Sequence, residues 1–453
     1  MHFLTLMWVF LFISLFCTGG FSILNLFNIF CYKDIHRRFS EHKIRQITHL
    51  YIMVPALNEV NEIVGTVNRL LTAIKPLPVT TTLVIIDDGS NDGTHEKLLA
   101  FEDNPSVHVL TRKFPNAQKG KGEALNDGLA WIVKHAVDFK NVVVGVIDSD
   151  SQPNAQILMD VYNGFTHSKY DLLQTGIAIN NIHNFLTLMQ EFEFGVPNLL
   201  QQVIRMGWGS AIASGNGQFM TLEMANTIRW NNSLLDDLEF SINGLLHGFV
   251  GGFLANTFMP QEGVLKYRPL VKQRVRWCHG GMQCLFRYGK QVFWSKQISP
   301  QLKTDLLVFM ILPFFSILFT ISSFMATIVL VVHLVMWPQG TIIAAFTVIS
   351  IGTVITALMI FAADHLGNAQ IKALSIKQVL MMAIGNLIYS WLMAPVAFIA
   401  LFRLVTRKND WSKTAHDQST VYTSRRKPAQ TAIYESSYQH AYQPRTAKDR
   451  VMK

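Results

Sequence analysis

Four short acidic stretches and one helix-spaced triplet hold the residues that could do chemistry. TLVIIDDGSNDGT, residues 82–94, closes an apolar run on Asp87 and Asp88, and Gly89–Ser90 allow a tight turn. VPALNE places Asn58 and Glu59 just past an earlier apolar run. VIDSDSQP, residues 146–153, sets Asp148 and Asp150 two apart, and in an extended segment such residues point to one side. That pair suits a hard divalent cation, Mg2+ or Mn2+, bridging to phosphate oxygens. LLDDLEF, residues 234–240, groups Asp236, Asp237 and Glu239, and a carboxylate there could act as a general base. In QRVRW, Gln273, Arg276 and Trp277 are three or four apart and share a helix face. Arg offers a fork for phosphate, and Trp a flat apolar platform for a sugar ring. Each motif alone also has a plainer reading. These are an Asx turn, solvated turn acids, acids at a helix start, and an interface Trp beside a snorkelling Arg.

The elements that must position these residues are legible around them. YIMVPA, TLVIID, VHVLT and VVVGVID are strand-length, rich in Val and Ile, and end in polar turns. Longer stretches such as EIVGTVNRLLTAI and KGEALNDGLAWIVKHAV separate them. That alternation predicts a parallel sheet with helices on its faces. Ligands bind beyond the carboxyl ends of such strands, where the acidic motifs fall.

The 453 residues are 50% hydrophobic and only 15% charged, against about 25% in an average soluble chain. Disorder over most of the length is excluded, and an ordinary soluble enzyme is a poor fit. Cys17, Cys31, Cys278 and Cys284 show no C-x-x-C spacing and read as free thiols. The net charge of +9 accompanies no nucleic-acid motif, so no nucleic-acid partner is expected. Residues 3–30 carry no charge and can span a bilayer. A signal peptide fits poorly, without a basic n-region or an A-x-A site. Lys33, Arg37, Arg38, Lys43 and Arg45 follow, which puts this flank in the cytoplasm. Further candidate spans are 305–336, 341–363 and 378–402, and Arg403, Arg407, Lys408 and Lys413 again ask for the cytoplasm. Three crossings from an inside start would leave the tail outside. Either 305–336, with Pro313, folds as a hairpin or re-entrant segment, or one stretch lies only in the interface. The tail from about His416 is polar and expected to be disordered. Asn386, Tyr389, Ser390 and Trp391 could mark a polar path through the last span, with helix packing as the plainer reading.

The order D-D-G-S, D-x-D, D-D, Q-x-x-R-W, then membrane spans, resembles the processive family 2 glycosyltransferases. That family includes cellulose, hyaluronan and poly-N-acetylglucosamine synthases. QKGKGEALN (118–126), ASGNGQFMT (213–221) and WSKTAH (411–416) are similar to further landmarks of the family. The resemblance implies an α/β GT-A nucleotide-sugar transferase domain, its sheet mixed but mostly parallel with helices on both faces, inserted between transmembrane helices. Expected limits are 1–32 for a first transmembrane helix and 48–300 for the cytoplasmic GT-A domain with interfacial helices. A C-terminal membrane region at 303–403 and a basic, mostly disordered tail at 404–453 would follow. By the same resemblance Asp88, with Glu59 close by, lies near the donor's uracil and ribose, and Lys121 binds the donor. Asp148 and Asp150 hold Mg2+ or Mn2+ on the diphosphate, and Asp237 is the catalytic base. Gln273, Arg276 and Trp277 cover the diphosphate and the acceptor sugar.

The family's usual T-E-D is here Leu235–Asp236–Asp237, which leaves the role of Asp236 open. No cyclic-di-nucleotide module is evident. The implied function is inverting polymerisation of a β-linked polysaccharide at the plasma membrane from a UDP-sugar, UDP-N-acetylglucosamine or UDP-glucose, with help in its export. Transfer of one sugar to a lipid carrier or glycolipid is the alternative. The expected partners are the donor, the growing polysaccharide, the lipid bilayer, and an accessory membrane subunit or a second copy of the chain.

Overall fold

The computed structural model describes residues 43–407 apart from 232 and 367, together with Thr5 and Val9. The expected first membrane helix, its basic flank to Arg38, the WSKTAH segment and the tail from Lys408 lie outside the described residues, those two positions excepted.

Among the described residues, seven strands form one sheet in the order β3-β2-β1-β4-β6-β5-β7. They are β1 His49–Ala56, β2 Thr80–Asp87, β3 Val107–Thr111, β4 Val142–Val146, β5 Leu172–Ile179, β6 Gln218–Thr221 and β7 Gly251–Gln261. β1 pairs in parallel with β2 and β4, and β2 with β3. β6 is antiparallel to both β4 and β5, whereas β5 and β7 are parallel. The sheet is therefore mixed but mostly parallel, as the GT-A resemblance implies, and antiparallel β6 departs from the all-parallel pattern read from the alternation.

Strand residues alternate between two cores, as period-2 side chains must. Leu50, Ile52 and Val54 of β1 face one core with α1 (Ile63–Ile74) and the later helix Ala155–Thr166. Tyr51 and Met53 face the other with α2 (Lys121–His135). All five residues of β4 are buried, the mark of a strand covered on both faces. Because β1 connects outward to β2 but the chain later returns to β4 on its other side, the strand order reverses at β1. The carboxyl ends of β1, β2 and β4 open there into one crevice.

Two layers then link the sheet to the apolar end of the molecule. α3 (Phe185–Glu193) is capped by an Asn184–Thr187 box and continues through a π-helical turn, Phe194–Asn198, holding Pro197, into α4 (Leu199–Trp208). α5 (Asp236–Leu246) precedes β7, and α6 (Tyr267–Trp294) follows it. Beyond lie α7 (Pro300–Met336), α8 (Pro338–His365), α9 (Ile376–Met393) and α10 (Pro395–Val405). Pro300–Met336, Pro338–His365 and the combined run Ile376–Val405 are each long and apolar enough to cross a membrane. The hairpin or re-entrant fold expected at 305–336 is not formed. Pro313 is accommodated within one continuous helix of 37 residues, about 55 Å long. Its first turns pack against α4, and there Asp305 accepts hydrogen bonds from Arg205 at 2.6 Å and Gln201 at 3.0 Å. The break falls instead in the last run, at Ala394–Pro395. Of the polar residues considered as a path, Asn386 donates to Thr356 of α8 at 3.3 Å and Ser390 to the Asn386 carbonyl, so packing accounts for both.

One buried acid belongs to no expected site. Glu191 of α3 is 0% exposed and accepts from the Ile179 N–H at 2.6 Å. Burial pushes its carboxyl up to about 8. Between about pH 4.3 and 8 the folded chain keeps a proton that the unfolded chain releases, so stability falls as pH rises through that window. At pH 7 the loss is about 3 kcal/mol. Glu191→Gln keeps the acceptor and removes the titration. Thermal unfolding should therefore occur at a higher temperature than in the parent at pH 8, with the gap closing towards pH 5.

Candidate active site

The crevice collects the predicted carboxylates because each ends a strand or starts a helix there. Past β4, Asp148 accepts from the Lys121 ammonium at 2.6 Å, and Lys121 is the first residue of α2. The Asp148 N–H donates to Asn216 Oδ1 at 3.1 Å, and Asn216 Nδ2 donates to Gln261 at the end of β7 at 2.8 Å. That amide ties the D-x-D turn to the G-N-G turn before β6. Asp150 is raised well above the usual carboxylate range by burial first, then by Asp148, Glu59 and Glu262. The negative charges of Asp148, Glu59 and Glu262 all act on Asp150, and two of them, Glu59 and Glu262, come from other strand ends.

Lys121 connects this acidic point to the start of α5. Burial pulls its ammonium pKa down, but Asp148, Asp236 and Asp237 together hold it above that of an ordinary lysine. Asp237 is pushed up to about 7, by burial first and by Asp236 second. The Leu238 N–H, donating at 2.8 Å, and the charges of Lys121 and Arg276 limit the rise. Arg276 therefore reaches the same site from α6. Its Nε is buried without a hydrogen-bond partner among the described residues.

Gly215 keeps room for Asp237. Its φ is +86°, a conformation L side chains rarely adopt, and an added Cβ would lie 3.3 Å from Asp237 Oδ2. Gly215→Ala should lower kcat about 10–100-fold by displacing the carboxylate. Stability should fall by about 1–2 kcal/mol, and melting and turnover measured together separate the two effects.

Asp88 follows β2, which β1 separates from the β4 strand that leads into the D-x-D turn. It is buried and bound by the Arg112 guanidinium and the Gln118 N–H, the latter at 2.9 Å. Burial still raises its pKa against those donors. Gln118 also donates to the Gly89 carbonyl at 2.8 Å, so the loop before α2 is pinned to the D-D-G turn. Trp277 is half-buried on α6, with Phe194 edge-on at 6.2 Å between ring centres. Gln273, four residues earlier, accepts from Arg274 at 2.6 Å.

The third acid of LLDDLEF does not join them. Glu239 is 1% exposed and accepts from Arg287 at 2.7 Å, Tyr288 at 2.5 Å and Asn231 at 3.0 Å. It fastens α5 to α6 and so holds Asp237 opposite Arg276. Burial raises the Cys278 and Cys284 thiols to about 11 and 12, which suits unreactive packing groups. Arg112, Asn216, Glu262 and Arg274 were not singled out from the sequence. Of these only Glu262, an acid just past an apolar strand, carried a local signal.

Among the described residues no three His, Cys, Asp or Glu side chains converge as a ready metal site. The donor set nonetheless fits a hard cation. Two carboxylates with further acids around them leave surplus negative charge, and such ions commonly complete their shell with substrate phosphate and water.

Residues 143–405 match Glycosyl transferase family group 2, and residues 51–226 match Glycosyl transferase family 2. The Beta-monoglucosyldiacylglycerol synthase of Synechocystis sp. is 29% identical over 266 residues, 58% of this chain and 54% of that protein. The Poly-beta-1,6-N-acetyl-D-glucosamine synthase of Staphylococcus epidermidis is 24% identical over 289 residues, 60% of this chain and 62% of that protein. The matched stretch thus spans little more than half the length of both relatives. A mannosyltransferase from Pyrobaculum calidifontis, solved with GDP-Man and Mn2+, shares the GT-A fold. Its TM-score is 0.52 at 14% identity, over 89% of this chain and 99% of that one.

Proposed function

This chain belongs to the family 2 glycosyltransferases, and from that membership we propose that it polymerises a β-linked polysaccharide from a UDP-sugar, with Asp237 as the base. The observation that carries the reading is the Asp237 carboxyl, raised to about 7 by burial first and Asp236 second, against the charges of Lys121 and Arg276. A base poised there is half-ionised at working pH and still basic enough to take a proton. A sugar hydroxyl is a weak nucleophile at that pH. Asp237 takes its proton as the oxygen attacks the anomeric carbon, and attack from the face opposite the leaving diphosphate inverts the centre.

The leaving group gains negative charge as the bond breaks. Lys121 and the unpartnered Nε of Arg276 offer cationic donors to it, and they are worth most in the transition state. Asp148 and Asp150 would hold Mg2+ or Mn2+, which supplies Lewis-acid stabilisation of the diphosphate. Asp88 and Glu59 border the place for the nucleoside. Trp277 carries the acceptor ring within attack distance, and Gln273 lies one helical turn away.

The apolar helices and basic flanks support a plasma-membrane protein with its catalytic domain in the cytoplasm. The S. epidermidis relative supports a polymer product. The Synechocystis relative, a glycolipid synthase by name, supports a second reading, transfer of one sugar to a lipid. Purified protein in lipid, given Mn2+ and a panel of UDP-sugars, should release UDP with one donor and yield a long product. A product one sugar larger than a lipid acceptor would establish the second reading. Turnover that survives Asp237→Asn would overturn both.

A further inference from the structure

We propose that Arg274 is a positioning residue that sets the Q-x-x-R-W helix for acceptor binding by fixing both Gln273 and Trp277. This rests on the reading of Trp277 as the acceptor platform. Arg274 directly follows the motif's Gln273 and precedes its Arg276 by two residues. It is buried, and its guanidinium is used on every side. Nη2 donates to Glu193, the last residue of α3. Nη1 donates to Gln273 Oε1 at 2.6 Å. The guanidinium carbon stands 4.2 Å from the centre of the Trp277 ring and 5.8 Å from that of Phe194.

Three consequences follow from that geometry. A planar cation stacked on an indole occupies one face and fixes the ring's tilt, leaving the other face for a ligand. A donor on Gln273 Oε1 fixes which way the amide points, so its NH2 group is the part left for substrate. The anchor, Glu193, sits where α3 passes into the π-helical turn, and Tyr389 of α9 lies beside the Arg274–Glu193 pair. The acceptor platform is thereby tied to α3, not to α6 alone. Lysine could keep the charge opposite Glu193 but has neither the fork nor the flat stacking surface.

The test uses the full chain labelled with 5-fluorotryptophan in lipid nanodiscs, with the Trp277 fluorine line assigned by Trp277→Phe. Arg274→Met should shift and broaden that line and leave the other tryptophan lines in place. Arg274→Lys should give the same result, and Glu193→Gln a smaller shift. A Trp277 line unmoved in Arg274→Met overturns the proposal, as does a spectrum in which every line moves in both Arg274→Lys and Glu193→Gln. Turnover with the donor that the parent uses supplies the second readout. Arg274→Met should cost at least tenfold in the parent background and clearly less in Trp277→Ala, where only its effect through Gln273 remains. Equal losses in both backgrounds overturn it too. Failure of the platform reading shows separately, as unchanged turnover in Trp277→Ala alone.

Discussion

Asp237→Asn should lower turnover by about 10²–10⁴-fold, the span expected when a positioned base is removed. The amide is isosteric and can still accept from the Leu238 N–H, so the start of α5 should stand. UDP affinity should change little, which separates lost proton transfer from lost binding. The pH profile carries the same information. As the proposed base, Asp237 would act only when ionised, and burial raises its carboxyl to about 7, so kcat/KM should fall about tenfold per unit as pH drops below that value. Lys121 lowers the Asp237 pKa by its charge. Lys121→Met should therefore move the acid limb to higher pH as well as slow the reaction. A limb that stays in place in Lys121→Met would mean that another group titrates there.

Asp150→Asn should cost about 10²–10³-fold in turnover, and raising Mn2+ should restore part of it. Burial first, and then the charges of Asp148, Glu59 and Glu262, raise the Asp150 pKa, and that negative field is what would attract a cation. The substitution removes one donor and part of that field. Glu262→Gln removes only part of the field, so the half-saturating Mn2+ concentration should rise about tenfold with kcat nearly kept. Titrating Mn2+ against turnover in both variants checks the pair. Equal Mn2+ dependence in parent and Asp150→Asn would place the cation elsewhere.

Much of this site was legible because strand ends and turns are local. A Val/Ile run followed by D-D-G or D-x-D announces both the strand and where its acids emerge. Asp88, Asp148 and Asp150 accordingly lie past β2 and β4 at the reversal of strand order. Q-x-x-R-W declared its own helix face by spacing. Strands β5, β6 and β7 were not read, because β6 has four residues and pairs only with distant strands. Glu239 illustrates the converse. Its neighbours in sequence suggested a shared acidic role, yet helix geometry turns it towards Tyr288 and Arg287, 49 and 48 residues away.

The sequence by itself determined the chemistry on offer, the alternation of strands and helices, and the apolar runs, since each depends on residue type at short spacing. Only the tertiary structure decided how that chemistry is tuned. The Asp237 value near neutrality requires burial, Asp236, Lys121 and Arg276 at once, and Lys121 and Arg276 stand on helices over a hundred residues apart. Likewise the Arg274 stack on Trp277 gains its fixed angle from Glu193 of α3. Charges and planes act through space at a few ångströms, and which groups come that close is set by packing, not by order along the chain.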